Sequence, residues 1–391
     1  LLRVPLAAPV LAEAETLVPE SETAIVGVTP AATRIYLTEM AGGPSQVRVI
    51  GSNGGDQGRL PLAPVSAVGQ VLALDGDTIL YRSNTFVAPP AWYRFDPQEE
   101  EPAPTALRTH SPADFSDTLV SRIFATGRDG TRVPINVLHR AGVALDGSNP
   151  TLLYAYGGYG ICLAPFFDPG LSVWLEQGGV FAVANLRGGG EYGDAWHLAG
   201  NLTRKQTVFD DFLACAEHLV TAGYTNPERL AIMGGSNGGL LMGAALTQRP
   251  ELFRAVVAAV GIHDMLRVEL DPNGAFNITE FGTVADPAQF AALHAYSPYH
   301  HVVDGTAYPA VLFTTGDHDG RVNPAHSRKM TARLQAATSS ARPILLRTSA
   351  NAGHGMGTSL NEQIVEETDV YTFLFDQLGM TYVAPEVALA Q

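Results

Sequence analysis

The stretch at residues 231–241 reads A-I-M-G-G-S-N-G-G-L-L, and it limits what this chain can fold into more than any other. An apolar run, Leu230-Ala231-Ile232-Met233, suits a buried strand, and Gly234-Gly235-Ser236-Asn237-Gly238-Gly239 turns sharply from it into a helix expected to begin near Leu240. Glycines two before and two after a serine let strand and helix pack closely around a residue held in a strained backbone. Such an elbow leaves the Ser236 hydroxyl exposed and the Asn237 N–H free to bind an oxyanion. An incidental serine in a Gly-rich turn would share these letters, so the surrounding strand order has to decide.

At 391 residues the chain is longer than an ordinary single domain, and length alone suggests about two to three. A formal net charge of −15 argues against nucleic-acid partners and against an anionic membrane surface, since neither would be attracted to it. Cys162 and Cys215 lie in apolar surroundings with no zinc or disulfide spacing, so buried free thiols are expected, and the compartment stays open between cytoplasm and periplasm. No apolar run approaches the roughly 20 residues that span a bilayer. The apolar start, Leu1-Leu2-Arg3-Val4-Pro5, lacks a basic leader and is broken by prolines, so it is not expected to be a signal peptide; without an initiator Met, the chain is expected to begin inside a larger protein.

Residues 1–117 show short period-two runs at 23–28, 34–38, 46–50, 70–74, 78–81 and 91–95, separated by Gly, Pro, Asn, Asp and Ser clusters. That spacing predicts an all-β unit, about two propeller blades of four strands or a small sandwich. The acidic, Pro-rich run Asp96-Pro-Gln-Glu-Glu-Glu-Pro-Ala-Pro104 reads as a linker or a solvated loop between blades. From 118 to 391 the texture changes. Strands are expected at 133–139, 150–156, 179–185, 229–233, 253–260, 310–315 and 343–347, alternating with helices at 207–222, 239–248, 324–337 and 358–378. This alternation builds an α/β domain with a parallel sheet covered on both faces, whose ligands sit at the carboxyl ends of the strands.

A serine hydroxyl needs a base that is itself oriented by a third group, and in this arrangement the partners follow as Asp or Glu, then His. Two later loops open at strand ends. Gly316-Asp317-His318-Asp319-Gly320-Arg321-Val322 offers two acids, between which spacing alone does not choose. Ala352-Gly353-His354-Gly355 gives His354 the glycine flanks to bring its ring over Ser236. A second oxyanion donor could come from Tyr156-Gly157-Gly158-Tyr159-Gly160, although a tyrosine packed under the sheet would read the same way. Arg187-Gly-Gly-Gly-Glu-Tyr-Gly193 lacks the signature of a phosphate cradle and reads as loop architecture, with Arg187 and Glu191 a candidate pair. His300-His301 has no companion ligands at metal spacing, and neither a metal nor another cofactor is expected.

Taken together, the segments around Ser236, Tyr156, Arg187, Asp319 and His354 resemble the catalytic domain of prolyl oligopeptidases, serine peptidases of the α/β-hydrolase fold capped by a seven-bladed propeller. The resemblance covers residues 117–378, and Thr85-Phe-Val-Ala-Pro-Pro-Ala-Trp-Tyr-Arg-Phe95 is similar to the end of that propeller. It implies Ser236 as nucleophile, Asp319 rather than Asp317 as orienting acid, His354 as base, and Tyr156 beside the Asn237 N–H in the oxyanion hole. It also implies Arg321 as the holder of a substrate carbonyl, with Val322 and Tyr159 around a proline pocket and Phe281 at the place of a pocket tyrosine. In the family a tryptophan stacks on the substrate proline. Here the segment reads Gly274-Ala-Phe-Asn-Ile-Thr-Glu-Phe-Gly282, so Phe276 or Asn277 stands in its place, depending on the gap. A Phe would keep the ring stacking and an Asn would not. The chain holds about two blades and not seven, as expected of a fragment.

The resemblance therefore implies an endopeptidase that cuts short peptides after proline through an acyl-enzyme. The same chemistry with another acceptor or bond would make an isopeptidase, esterase or peptide macrocyclase. A truncated cap would alternatively leave an inactive peptide-binding module.

Overall fold

The computed structural model describes residues 1–384. The chain divides into two units: residues 1–116 with 164–169 and 191–194, and residues 117–163 with 170–190 and 195 onward.

The first unit contains two four-stranded antiparallel sheets, each a meander in chain order. One runs Ala24–Pro30, Arg34–Met40, Ser45–Gly51, Asp56–Arg59, and the other Ser66–Ala73, Ile79–Thr85, Ala91–Phe95, Ala103–Arg108. Period-two patterning does the sorting. Along Ile79–Thr85 every second side chain is buried, and Tyr36, Val47, Val49, Val68, Ile79, Tyr81 and Phe95 close into one core between the sheets. Asp77 ties them further by accepting from both the backbone and the hydroxyl of Thr33, while the Tyr36 hydroxyl donates to the Asp77 carbonyl.

Two expectations change here. The acidic run after Phe95 does not separate blades; it is the hairpin loop between the last two strands of the second sheet, and Pro104 itself lies in a strand, paired with Tyr93. The reason is positional, because an edge strand needs no N–H on its outer side. The strands Asp56–Arg59 and Ala103–Arg108 carry mostly exposed side chains, so they lack the alternating pattern that marks the others.

The second unit is built on an eight-stranded sheet in the order Thr118–Thr126, Arg132–Arg140, Val180–Ala184, Thr151–Ala155, Leu230–Gly235, Ala255–Ala259, Ala310–Gly316, Ile344–Ser349. The first two strands run antiparallel, and the six from Val180–Ala184 onward are mutually parallel. Every residue of Val180–Ala184 and of Ala310–Gly316 is buried, as continuous apolar strands require when both faces are covered. The helices Gln206–Thr221 and Asn237–Gln248 pack against each other, and Trp174 of Leu171–Glu176 stacks on Tyr371 of Leu360–Leu378. The strand order reverses around Thr151–Ala155, since the chain next adds Val180–Ala184 on one side of it and Leu230–Gly235 on the other. A crevice forms at the carboxyl ends of strands on either side of such a switch. The Tyr156 loop and the Ser236 turn leave the sheet there.

Asn237–Gln248 begins two to three residues earlier than the sequence suggests, because Ser236 itself supplies the reversal and needs no further turn. Cys215 is buried, whereas Cys162 is only half-buried, so just one of the two thiols is a core residue. Arg187 is held by Asp211 and Asp129 at 2.6 and 2.5 Å.

Candidate active site

Ser236 sits at φ 59°, ψ −116°, a region that L residues rarely adopt. Its N–H donates to the Ala259 carbonyl of the neighbouring strand and its carbonyl accepts from Leu240 in the following helix, so strand and helix hold the strained turn from both sides. Gly234 is required by contact: a Cβ there would come 2.6 Å from the Gly238 carbonyl oxygen.

Around this serine two loops converge. The Ser236 hydroxyl lies 3.0 Å from His354 Nε2, and His354 Nδ1 lies 2.7 Å from Asp319 Oδ2. With Asp319 as acceptor, Nδ1 carries the proton and Nε2 is left to accept from the hydroxyl. The Asp319 side chain is fully buried, and its other oxygen accepts from the backbone N–H groups of Arg321 and Val322, each at 2.9 Å. Burial pushes this carboxyl up, but the His354 bond and the two N–H donors outweigh it and hold it below its ordinary range. Asp317, the other acid of the loop, faces Arg328 at the surface at 2.7 Å.

The N–H of Asn237 opens the helix, where no intrahelical acceptor exists for it. The Asn237 side chain donates to the Tyr156 carbonyl at 2.6 Å and so locks the Tyr156 loop to the elbow. This contact explains Gly158, where a Cβ would fall 2.6 Å from the Asn237 amide. Burial raises the Tyr156 phenol above its ordinary acidity range, with a smaller opposing effect from its interaction with the Ser236 side chain. Tyr156 is half-buried, and its ring lies alongside Gly238 of the elbow. Arg321 is exposed, with no salt bridge or side-chain hydrogen bond to a described residue, and its charge acts on both Tyr156 and Tyr159.

Beside the serine, Tyr159 stacks on Phe276 with ring centroids 5.8 Å apart and meets Phe281 edge-to-face at 5.6 Å. The Tyr159 hydroxyl donates to Asn277 Oδ1 at 2.8 Å. Phe276 is 63% exposed while Asn277, Phe281 and Val322 are buried. The helix Gly274–Phe281 thus presents Phe276 outward and keeps Asn277 inward as a partner for Tyr159.

Three residues of this neighbourhood escaped the sequence reading. Lys205, fully buried, donates to Glu280 at 2.7 Å and to the Gly157 carbonyl at 3.0 Å, and Glu280 also bonds His197 at 2.8 Å. The available signals were that Lys205 is one of two lysines in the chain and that Glu280 is the one charged residue in its helix. Among the described residues no group of three or more His, Cys, Asp or Glu is placed to hold a metal ion, and no helix is long and apolar enough to cross a membrane.

The fold has counterparts. Residues 165–381 match the prolyl oligopeptidase family and residues 1–108 match the N-terminal β-propeller domain of prolyl oligopeptidases. The chain belongs to the prolyl oligopeptidase family. Within this family it is 40% identical over 305 residues to the prolyl endopeptidase of Elizabethkingia miricola, covering 77% of this chain and 43% of that protein. It is 45% identical over 260 residues to that of Elizabethkingia meningoseptica, covering 66% of this chain and 37% of that protein. A solved prolyl endopeptidase superposes with a TM-score of 0.91 at 43% identity, over 97% of this chain and 56% of that one. Prolyl oligopeptidase B of Galerina marginata, solved with a 25-residue macrocyclization substrate, gives a TM-score of 0.88 at 28% identity, over 95% and 53%. The chain thus spans about half the length of these prolyl oligopeptidases. Its first unit holds two four-stranded sheets within the region that matches the β-propeller domain, and its second the α/β-hydrolase sheet.

Proposed function

We propose that this chain carries the catalytic machinery of a serine endopeptidase that cuts short peptides after proline. The observation that carries the reading is the continuous line from Asp319 through His354 to Ser236, with both hydrogen bonds at 3.0 Å or less. Ser236 attacks the scissile carbonyl as His354 Nε2 takes its proton, and Asp319 holds the ring in the tautomer that can do so. Negative charge then develops on the carbonyl oxygen, where the Asn237 N–H and the Tyr156 hydroxyl donate. His354 returns the proton to the leaving amine, and water, activated by the same base, releases the acyl group. Arg321 meets a backbone carbonyl of the substrate.

Phe276, not Asn277, offers the ring on which the proline stacks, because it is exposed and lies parallel to Tyr159 while Asn277 is buried and already bonded. Reporter peptides differing only in Pro or Ala before the scissile bond test the proposal. The Pro reporter is expected to turn over faster by about tenfold or more, a preference that Phe276→Ala narrows. Equal rates for the two reporters would rule out the post-proline reading.

A further inference from the structure

The loop that carries Tyr156 and Tyr159 and the helix that carries Phe276 come from distant parts of the chain, yet the proposed specificity needs them in fixed register. Few contacts join them directly. Tyr159 reaches Asn277 with its hydroxyl, and its ring touches Phe276 and Phe281. Beneath these contacts lies a buried polar chain. Lys205 Nζ donates to the Gly157 carbonyl, next to Tyr156, and to Glu280 Oε1, next to Phe281. The second Glu280 oxygen bonds His197 Nε2 at 2.8 Å. The Lys205 ammonium further lies 5.3 Å from the centre of the Phe281 ring.

Such a pair is a poor device for stability alone, because desolvating two charges offsets most of their attraction, and apolar replacements of similar volume are commonly tolerated. What it supplies is direction: three hydrogen bonds tie together Gly157, His197, Lys205 and Glu280, which lie on four separate segments. We propose that Lys205, Glu280 and His197 are positioning residues that hold the Tyr156–Tyr159 loop in register with the helix Gly274–Phe281, and thereby set the discrimination for proline. None of the three touches the reacting atoms. The inference rests on the post-proline reading above.

The test compares the full chain with Lys205→Met, Glu280→Leu, the double variant and His197→Ala, using Pro and Ala reporters, Ser236 labelling by a small fluorophosphonate, and thermal melting. Each single buried variant strands one charge and is expected to melt early, whereas the double variant recovers stability. If the three residues only fill space, the recovered double variant discriminates as the unsubstituted chain does. Positioning predicts instead that it stays folded and labels at Ser236 within about threefold, while its Pro over Ala ratio falls by about tenfold or more. His197→Ala, which removes a partly exposed ring, is expected to fold and to lose about threefold in that ratio. An unchanged ratio in either folded variant overturns the inference while leaving the proline reading intact. An unsubstituted chain with no proline preference overturns both.

Discussion

At the residue scale, the choice between Asp317 and Asp319 shows what a sequence can and cannot carry. Both acids lie on one loop two residues apart, and their spacing from His354 is compatible with either. Only the family resemblance separated them, and the physical difference lies in the surroundings each side chain meets. Asp319 turns inward to two backbone donors and His354, while Asp317 turns outward to Arg328. Asp319→Asn, which keeps the size of the side chain but lets it donate to Nδ1 and favours the wrong tautomer, is expected to lower kcat on the order of 10³-fold or more. Asp317→Asn is expected to leave kcat within about twofold, because it removes only an exposed pair. Steady-state rates on one Pro reporter check both, and equal losses would contradict the assignment. The Phe276 or Asn277 alternative was likewise open in the sequence, since a one-residue gap moves the alignment. In the structure Asn277 lies on the buried face of the helix with Gly274, Glu280 and Phe281, at a spacing of three to four residues, while Phe276 shares the exposed face with Ala275 and Thr279.

At the scale of elements, legibility followed patterning. The central strands Val180–Ala184 and Ala310–Gly316 stood out because burial on both faces leaves an uninterrupted apolar run. The strand Asp56–Arg59 and the helix Pro287–Tyr296 did not, the first because it is exposed and polar, the second because its apolar residues are spread around its circumference. The elbow was legible from its glycines, and the helix start was misplaced only because a serine, not a glycine, adopts the left-handed turn. Tyr159 adopts another such conformation at φ 58°, at an expected cost of order 1–3 kcal/mol. Its bond to Asn277 and its ring contacts hold it there, and these long-range contacts have no signature in the loop's own sequence. The buried Lys205 and Glu280 were missed for the same reason: 75 residues separate them, and neither stands in a motif.

At the scale of the whole molecule, stability in acid gives access to the packing around the elbow helix. His263 is fully buried, edge-on to Phe313, and neither ring nitrogen has a hydrogen-bond partner among the described residues. Burial, helped by the neighbouring His326, pushes its pKa down to about 3 from an ordinary 6.5. Between those values the unfolded chain binds the proton and the folded chain does not, so stability is full above about pH 6.5 and falls as pH drops toward 3. The slope approaches about 1.4 kcal/mol per pH unit from this one group. Urea unfolding at pH 6.5 and pH 5 is therefore expected to cost the unsubstituted chain about 2 kcal/mol more than His263→Leu, whatever the variant's stability at neutral pH. Parallel losses in the two proteins would contradict a neutral buried imidazole.

The central claim is that Ser236 is the activated nucleophile, and mass spectrometry of the chain after reaction with a fluorophosphonate tests it most directly. One covalent adduct is expected, on the peptide containing Ser236, absent from Ser236→Ala and strongly slowed in His354→Ala. A folded chain that takes up no adduct, or takes it up on another residue, would contradict it.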